Sequence, residues 1–210
     1  MIRAARVATF ALLVATLVPP GATRAGATAP GNLPQTSAEP SFGAALTAQM
    51  KQLWRALESN SPALGSAVFF PRGAYVRMKT GAIASPSSDY DDRLVAFFDL
   101  DLAAYRERLD VGGPATFVRV LANAADAQWI PPGACENTIG YWHEPGVRLV
   151  YRHANSVRSV AVASLISWRG VWYVVHLGPN PRPVNVGTVD GFANGPGVPG
   201  PPGGLSLIHI

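Results

Sequence analysis

The sequence predicts an α+β fold: N-terminal helices packed on a curved, cone-like antiparallel sheet, following a signal peptide. Three observations predict it. Apolar residues recur at helical spacing between residues 41 and 110, the pattern changes to β-branched alternation from 116 onward, and Gly112-Gly113-Pro114 separates the two regimes.

Ser41 is a good N-cap for a first helix with Leu46, Met50, Leu53, Trp54 and Leu57 on one stripe, and Ser59-Asn60 ends it. Ser61-Pro62 opens a second helix, carrying Leu64, Val68 and Phe69 until Pro71 interrupts. Residues 72–79 read equally well as a helical turn or a strand. A capping box at Ser88–Asp91 precedes a third helix with the stripe Leu94, Phe98, Leu102, Tyr105 and Leu109. Asp91 and Asp92 stand at its positive end, Arg106 and Arg108 at its negative end. Strands are then expected at 116–123, 128–130, 137–143, 147–153, 157–168 and 171–178, with turns at Glu144-Pro145-Gly146, Ala154-Asn155-Ser156 and Arg169-Gly170. A two-residue loop at 169–170 sets Trp168 opposite Val171 and Ser167 opposite Trp172. Ile166, Ser164 and Val162 then share a face with Val171, Tyr173 and Val175. Leu165, Ala163 and Ala161 share the other with Trp172, Val174 and His176. Both faces are apolar, so both are expected to be covered.

The folded domain is expected over 41–178. Before it, Arg3 and Arg6, the apolar run Val7–Val18 and the Ala25-Gly26-Ala27 site make the three parts of a secretory signal, residues 1–27. The apolar run extends about 18 Å as a helix, short of a hydrocarbon core of about 30 Å, so the mature chain is expected to have no transmembrane span. Residues 28–40 and the Pro/Gly-rich 179–204 are expected to be disordered. The last six residues, 205–210, match the translation of a common sequencing-library adapter. They are expected to be an artefact, which removes His209 from any site argument.

Charged residues are only 14% of the chain. Signal cleavage removes three of the 17 basic residues, Arg3, Arg6 and Arg24, leaving 14 against 13 acidic ones. A domain so close to neutral lacks the basic stripe that nucleic acid requires, and no nucleic-acid partner is expected. Cys135 is the one cysteine. Since exported proteins favour paired cysteines, it is expected to form a disulfide with a residue lost from the C-terminus.

The segments 69–81 (FFPRGAYVRMKTG), 135–151 (CENTIGYWHEPGVRLVY) and 159–183 (SVAVASLISWRGVWYVVHLGPNPRP) resemble uncharacterised exported proteins of mycobacteria and related actinobacteria. The order of helices followed by a bent meander over 41–178 resembles the nuclear-transport-factor-two-like cone. These resemblances imply export and a cone with a cavity between helices and sheet; they imply no particular chemistry.

Recognisable catalytic patterns are missing. Cys135, His143, His153 and His176 show no metal-ligand spacing, and His153 is expected to be solvated at a strand end. There is no G-x-S-x-G elbow and no phosphate-binding glycine loop, so no catalytic residue, metal or cofactor is expected. Asp99 and Asp101 point about 200° apart on a helix, so at most one faces a pocket; a solvated face is expected for both, with partial burial considered for Asp99. The residues that could line a cone cavity are Tyr105, Trp142, Tyr151, Trp172, His176 and Asp99, with Tyr75, Arg77 and Lys79 at a rim. The expected function is a non-catalytic envelope module that binds a cell-wall or membrane component or an envelope protein. The alternatives are a small cofactor-free isomerase or hydrolase with His176 or Asp99 as base, and a structural or assembly factor.

Overall fold

The structure, a computed structural model, describes residues 31–110 and 113–201. The signal segment, residues 28–30 and everything after Pro201 lie outside the described residues.

Helices come first. Helix α1 (Ala44–Ser59) has Gly43 at its N-cap, two residues after the expected cap, while the Ser41 hydroxyl accepts from the Gly43 N–H at 3.1 Å. Its Leu46, Met50, Leu53, Trp54 and Leu57 are all buried, and Asn60 ends it in the left-handed conformation (φ 47°). Helix α2 (Pro62–Gly65) is a single turn capped by Ser61. Val68–Phe70 then runs extended beside the sheet, where the Phe70 N–H donates to the Val174 carbonyl and the Val174 N–H to that of Val68. The ambiguous 72–79 is helix α3 (Arg72–Lys79). Helix α4 (Pro86–Asp89) leads through a π-helical turn (Tyr90–Val95) into α5 (Ala96–Asp110), whose Phe98, Leu102, Tyr105 and Leu109 are buried.

The sheet is curved, open and antiparallel. Its strands are β1 (Ala115–Leu121), β2 (Gln128–Ile130), β3 (Tyr141–His153), β4 (Ser156–Trp168), β5 (Val171–His176) and β6 (Ala193–Asn194). The main order is β1-β3-β4-β5, with β2 beside β3 and β6 beside β4. Helices packed on this sheet make the fold α+β, as the sequence predicts. The two-residue turn also holds: Trp168 faces Val171 and Ser167 faces Trp172, with positive φ at both Arg169 and Gly170.

Four expectations are corrected. No turn forms at Glu144-Pro145-Gly146; β3 runs unbroken for 13 residues. It pairs with β2 at 141–143 and with β1 at 148–153, so Pro145 falls in the gap between those partners, where its missing N–H costs no ladder bond. The hairpin register shifts by a bulge between Ser164 and Leu165, which sets His176 opposite Ser164 and so on the face opposite to the one expected. His153 is 4% exposed, not solvated.

The fourth correction concerns the ends. Residues 31–40 and 179–201 are packed against the domain, so the body extends beyond 41–178. In the N-terminal arm, Gln35 bridges two strand ends, donating to the Gly140 carbonyl at 2.8 Å and accepting from the Arg169 N–H at 2.6 Å. In the C-terminal strap, buried Asp101 of α5 accepts from the Gly178 N–H (2.8 Å), the Thr188 N–H (2.9 Å) and Arg182 Nη1 (2.5 Å). The strap returns along β4, where the Ala161 N–H donates to the Asp190 carbonyl and β6 pairs with Arg158 and Ser159. It then crosses β3, with the Gly200 N–H donating to the Gly146 carbonyl at 3.2 Å. Alternation along β3 puts Tyr141, Val147, Leu149 and Tyr151 in the core shared with the helices, and Trp142, Glu144 and Arg148 on the opposite face. Arm and strap lie on that second face: Ser37 meets Trp142, and Gly197 lies against the Arg148 guanidinium. Composition concealed this, because polar Pro/Gly segments are held by hydrogen bonds and one buried ion pair instead of an apolar stripe.

Tyr105 ties the layers together. Its hydroxyl lies 2.5 Å from the Ala161 carbonyl and 2.9 Å from that of Leu177, and it accepts from the Asp190 N–H at 3.0 Å. Tyr105→Phe is expected to cost about 1–3 kcal/mol, because it leaves the buried Asp190 N–H without its acceptor and removes the proton the hydroxyl donates. Urea unfolding of the two proteins measures it.

Candidate functional site

The residues that could line a cone cavity do not meet in one. The Tyr105 hydroxyl is engaged by Ala161 of β4, Leu177 and the strap's Asp190. Tyr151 packs on Trp54 with ring centroids 5.4 Å apart, and Trp172 packs on Phe42 at 5.1 Å. His176 is buried beside Ser164, while Trp142 stands on the far face beside Trp129. Asp99 is half-buried on α5, and that burial alone pushes its carboxyl upward. Asp101, for which a solvated face was expected, is the deeply buried member of the pair.

An open concavity lies beside the helices. It is a cleft of about 420 Å³ lined by Tyr75, Lys79, Ile83, Ser85, Asp89, Arg93 and Glu136. Two of the three expected rim residues, Tyr75 and Lys79, belong to it; Arg77 is exposed elsewhere. Helix α3 supplies Tyr75 and Lys79 four residues apart, hence on one face, with the Lys79 ammonium 5.9 Å from the Tyr75 ring centre. The end of α4 and the π turn supply Asp89 and Arg93. A π turn is an unfavourable element that recurs at functional positions. Arg93 grips Asp89 through two nitrogens, each at 2.7 Å. The Tyr75 hydroxyl donates to Asp89 Oδ2 and accepts from Arg93 Nη2 at 3.1 Å.

The third wall is the loop 131–137. Cys135 and Glu136 both have positive φ, 51° and 55°, which side chains adopt only when held there. Buried Asn137 holds them: its side-chain amide donates to the Cys135 carbonyl at 2.7 Å, and its backbone carbonyl accepts from the Gly133 N–H at 2.6 Å. The Cys135 carbonyl also accepts from Lys79 Nζ at 3.0 Å.

Charge in the cleft is balanced and polarised. The hydrogen bonds from Arg93 hold the Asp89 carboxyl below its ordinary range, so it is ionised. Burial pushes Lys79 down, with Glu136 opposing. Burial, then the bond to Asp89, raises Tyr75, which keeps its proton. The cleft thus offers an ammonium and a guanidinium across from two carboxylates, with a phenol between them.

The chain matches no protein-family model, no curated protein and no solved structure. The site must therefore be read from its own chemistry. Among the described residues no group of His, Cys, Asp and Glu could hold a metal ion, and no helix is long and apolar enough to cross a membrane. Cys135 is a half-buried free thiol, and its expected disulfide partner lies outside the described residues.

A second polar cluster is closed off. His143 Nε2 lies 2.8 Å from the Ser164 hydroxyl, and His176 pairs with Ser164 across the β4–β5 ladder. Burial lowers His143 to about 4 and His176 to about 3, so both are neutral. Asp89, Arg93, Glu136 and Asn137 escaped the sequence reading. The Asp89/Arg93 spacing of four was a legible charge pair; nothing in the sequence placed Glu136 opposite Lys79.

Proposed function

We propose that this chain is an exported cell-envelope protein that acts as a non-catalytic binding module, taking a small zwitterionic ligand in the Lys79–Asp89–Arg93–Glu136 cleft. The observation that carries this reading is the pairing of opposite charges across an open cleft whose walls are fixed by Asn137 and the π turn. A ligand bearing both a carboxylate and an amine, such as an amino acid or short peptide, matches that arrangement. The packing of Tyr105, Tyr151 and Trp172 into the core favours this cleft over a cavity lined by them. Export rests on the three-part N-terminal signal and on the resemblance to exported actinobacterial proteins.

Calorimetric titration with alanyl-alanine, glycine and glutamate tests the ligand class. Alanyl-alanine is expected to bind, and Lys79→Met and Glu136→Gln are each expected to weaken it about ten-fold, roughly 1.4 kcal/mol. No heat from any of the three probes would refute the reading. Export is tested separately: the mature protein from its native host is expected in the envelope or medium, beginning at Thr28.

The enzyme reading has one observation in its favour, the buried Ser164–His143 hydrogen bond with neutral His176 beside it. A fluorophosphonate probe that labels Ser164 would promote it over the binding module.

A further inference from the structure

On the other side of the loop 131–139 lies a second cleft of about 320 Å³, lined by the arm residues Gln35–Ser37 together with Trp129, Pro132, Thr138, Ile139 and Gly140. We propose that this cleft is a saccharide-binding site, with the Trp129 indole as its stacking platform. The proposal is independent of the zwitterion cleft.

The chemistry of the lining selects the ligand. No charged side chain lines this cleft, in contrast to the first, so it is suited to an uncharged molecule. Its walls combine an indole, a proline and an isoleucine with hydroxyl and amide groups. An uncharged ligand with both apolar C–H faces and many hydroxyls is a sugar ring. Its C–H face carries slight positive charge and stacks on the negative face of an indole, while its hydroxyls bond to a polar rim.

The platform is preorganised. Trp129 sits in β2 opposite Trp142, ring centroids 6.1 Å apart, and both indoles are half-exposed. Trp129 lies against Gly140, where a side-chain carbon would collide with the indole; glycine at 140 is what lets the ring lie there. Trp142 is fixed from behind, its N–H donating to the Ser37 carbonyl at 2.9 Å and its backbone N–H to the Ser167 hydroxyl at 2.9 Å. Gln35 uses both ends of its amide on backbone, which holds the arm as a rigid wall. The Trp129 indole N–H, by contrast, makes no hydrogen bond among the described residues, and Thr36 presents an exposed hydroxyl at the rim. A fixed, half-exposed indole with an unused donor gains both stacking and a hydrogen bond from a sugar. Rigid walls lower the ordering cost of binding.

The test titrates the full mature chain with cellotriose, maltotriose, mannotriose and triacetylchitotriose, following tryptophan emission and calorimetric heat. At least one is expected to bind and shift the emission. Trp129→Ala is expected to weaken it about ten-fold or more, Trp129→Phe less, and the exposed Arg77→Ala not at all. Should the alanine variant lose its fold, Ile139→Asp, at the wall and away from the platform, is expected to abolish binding in a folded protein. The proposal is overturned if none of the four sugars binds at millimolar concentration. It is also overturned if folded Trp129→Ala binds undiminished, or if a neutral detergent binds where no sugar does.

Discussion

Replacing Asp101 by alanine is expected to release the strap and to remove about 3–5 kcal/mol of stability, the range for breaking a buried ion pair by deleting one partner. Both side chains of the Asp101–Arg182 pair are 2% exposed. The carboxylate also accepts from two backbone N–H groups and from the Thr188 hydroxyl at 3.3 Å. Deletion therefore leaves a buried guanidinium and two buried donors without their acceptor. A strap that stayed docked would hold the Arg182 guanidinium buried 4.6 Å over the Phe97 ring without its carboxylate, and release of the strap is the escape from that penalty. Two measurements check this. The urea midpoint should fall, and limited proteolysis should cut between Pro179 and Val189 in the variant before the sheet is attacked. In the double variant Asp101→Ala/Arg182→Met the loss should be smaller than the sum of the single losses, because the orphaned charge is gone. An unchanged midpoint in the single variant would mean that the strap contributes nothing to the body.

Acid should be as damaging. His143 and His176 fall from 6.5 to about 4 and about 3, with burial as the first cause of each. Arg93, Arg182 and Lys79 add repulsion at His176, as does His143 itself. Because the folded form binds these protons less readily than the unfolded chain, the stability tied to neutral histidine is complete above pH 6.5. It is lost as pH falls from there toward 4, at about 1.4 kcal/mol per pH unit for each group. Together they make several kcal/mol by pH 4, comparable to the whole stability of an ordinary domain. Glu144 works in the opposite direction. Its side chain is buried, one oxygen accepts from the Asn123 N–H at 3.2 Å, and the other has no partner. Burial raises it from 4.5 to about 8, with Asp126 and Glu39 adding to the rise. The stability tied to its protonated form is complete below pH 4.5 and is lost as pH rises through 8. The two histidines outweigh one carboxyl below pH 6.5, so maximal stability is expected near pH 6 to 6.5. Melting temperatures across pH 4–9 should trace that maximum. Glu144→Gln should flatten the alkaline limb alone, and His176→Phe should weaken the acid limb. A flat profile would contradict both assignments.

Periodicity made most of the body legible. The stripe from Leu94 to Leu109 and the Arg169-Gly170 turn each have a local cause, and both formed where the pattern put them. The misreadings have non-local causes. Glu144-Pro145-Gly146 is turn chemistry, yet strand pairing over β4 keeps it extended because neighbours leave Pro145 unpaired on its other side. The bulge at Ser164 moved His176 to the opposite face, and no residue type announces it. The strap looked like solvated linker because its attachment depends on Asp101, 77 residues before the Gly178 it binds. At the candidate site, Tyr75 and Lys79 were expected at a rim, but 72–79 read equally well as helix or strand, and it is the helix that sets the two on one face. Glu136 needed the positive-φ corner that Asn137 holds, a feature of three-dimensional packing.

The strap also decides where this body can be cut. A version of the chain ending at Gly178 would strip β4 of the backbone partners at 158–161 that β6 and Asp190 supply, leaving a bare ladder edge next to Val157, Val160 and Ala161. Such an edge invites pairing with another molecule. The shortened protein should therefore self-associate where the longer one stays monodisperse, and a tag placed after Pro201 should be far better tolerated than one placed at residue 178.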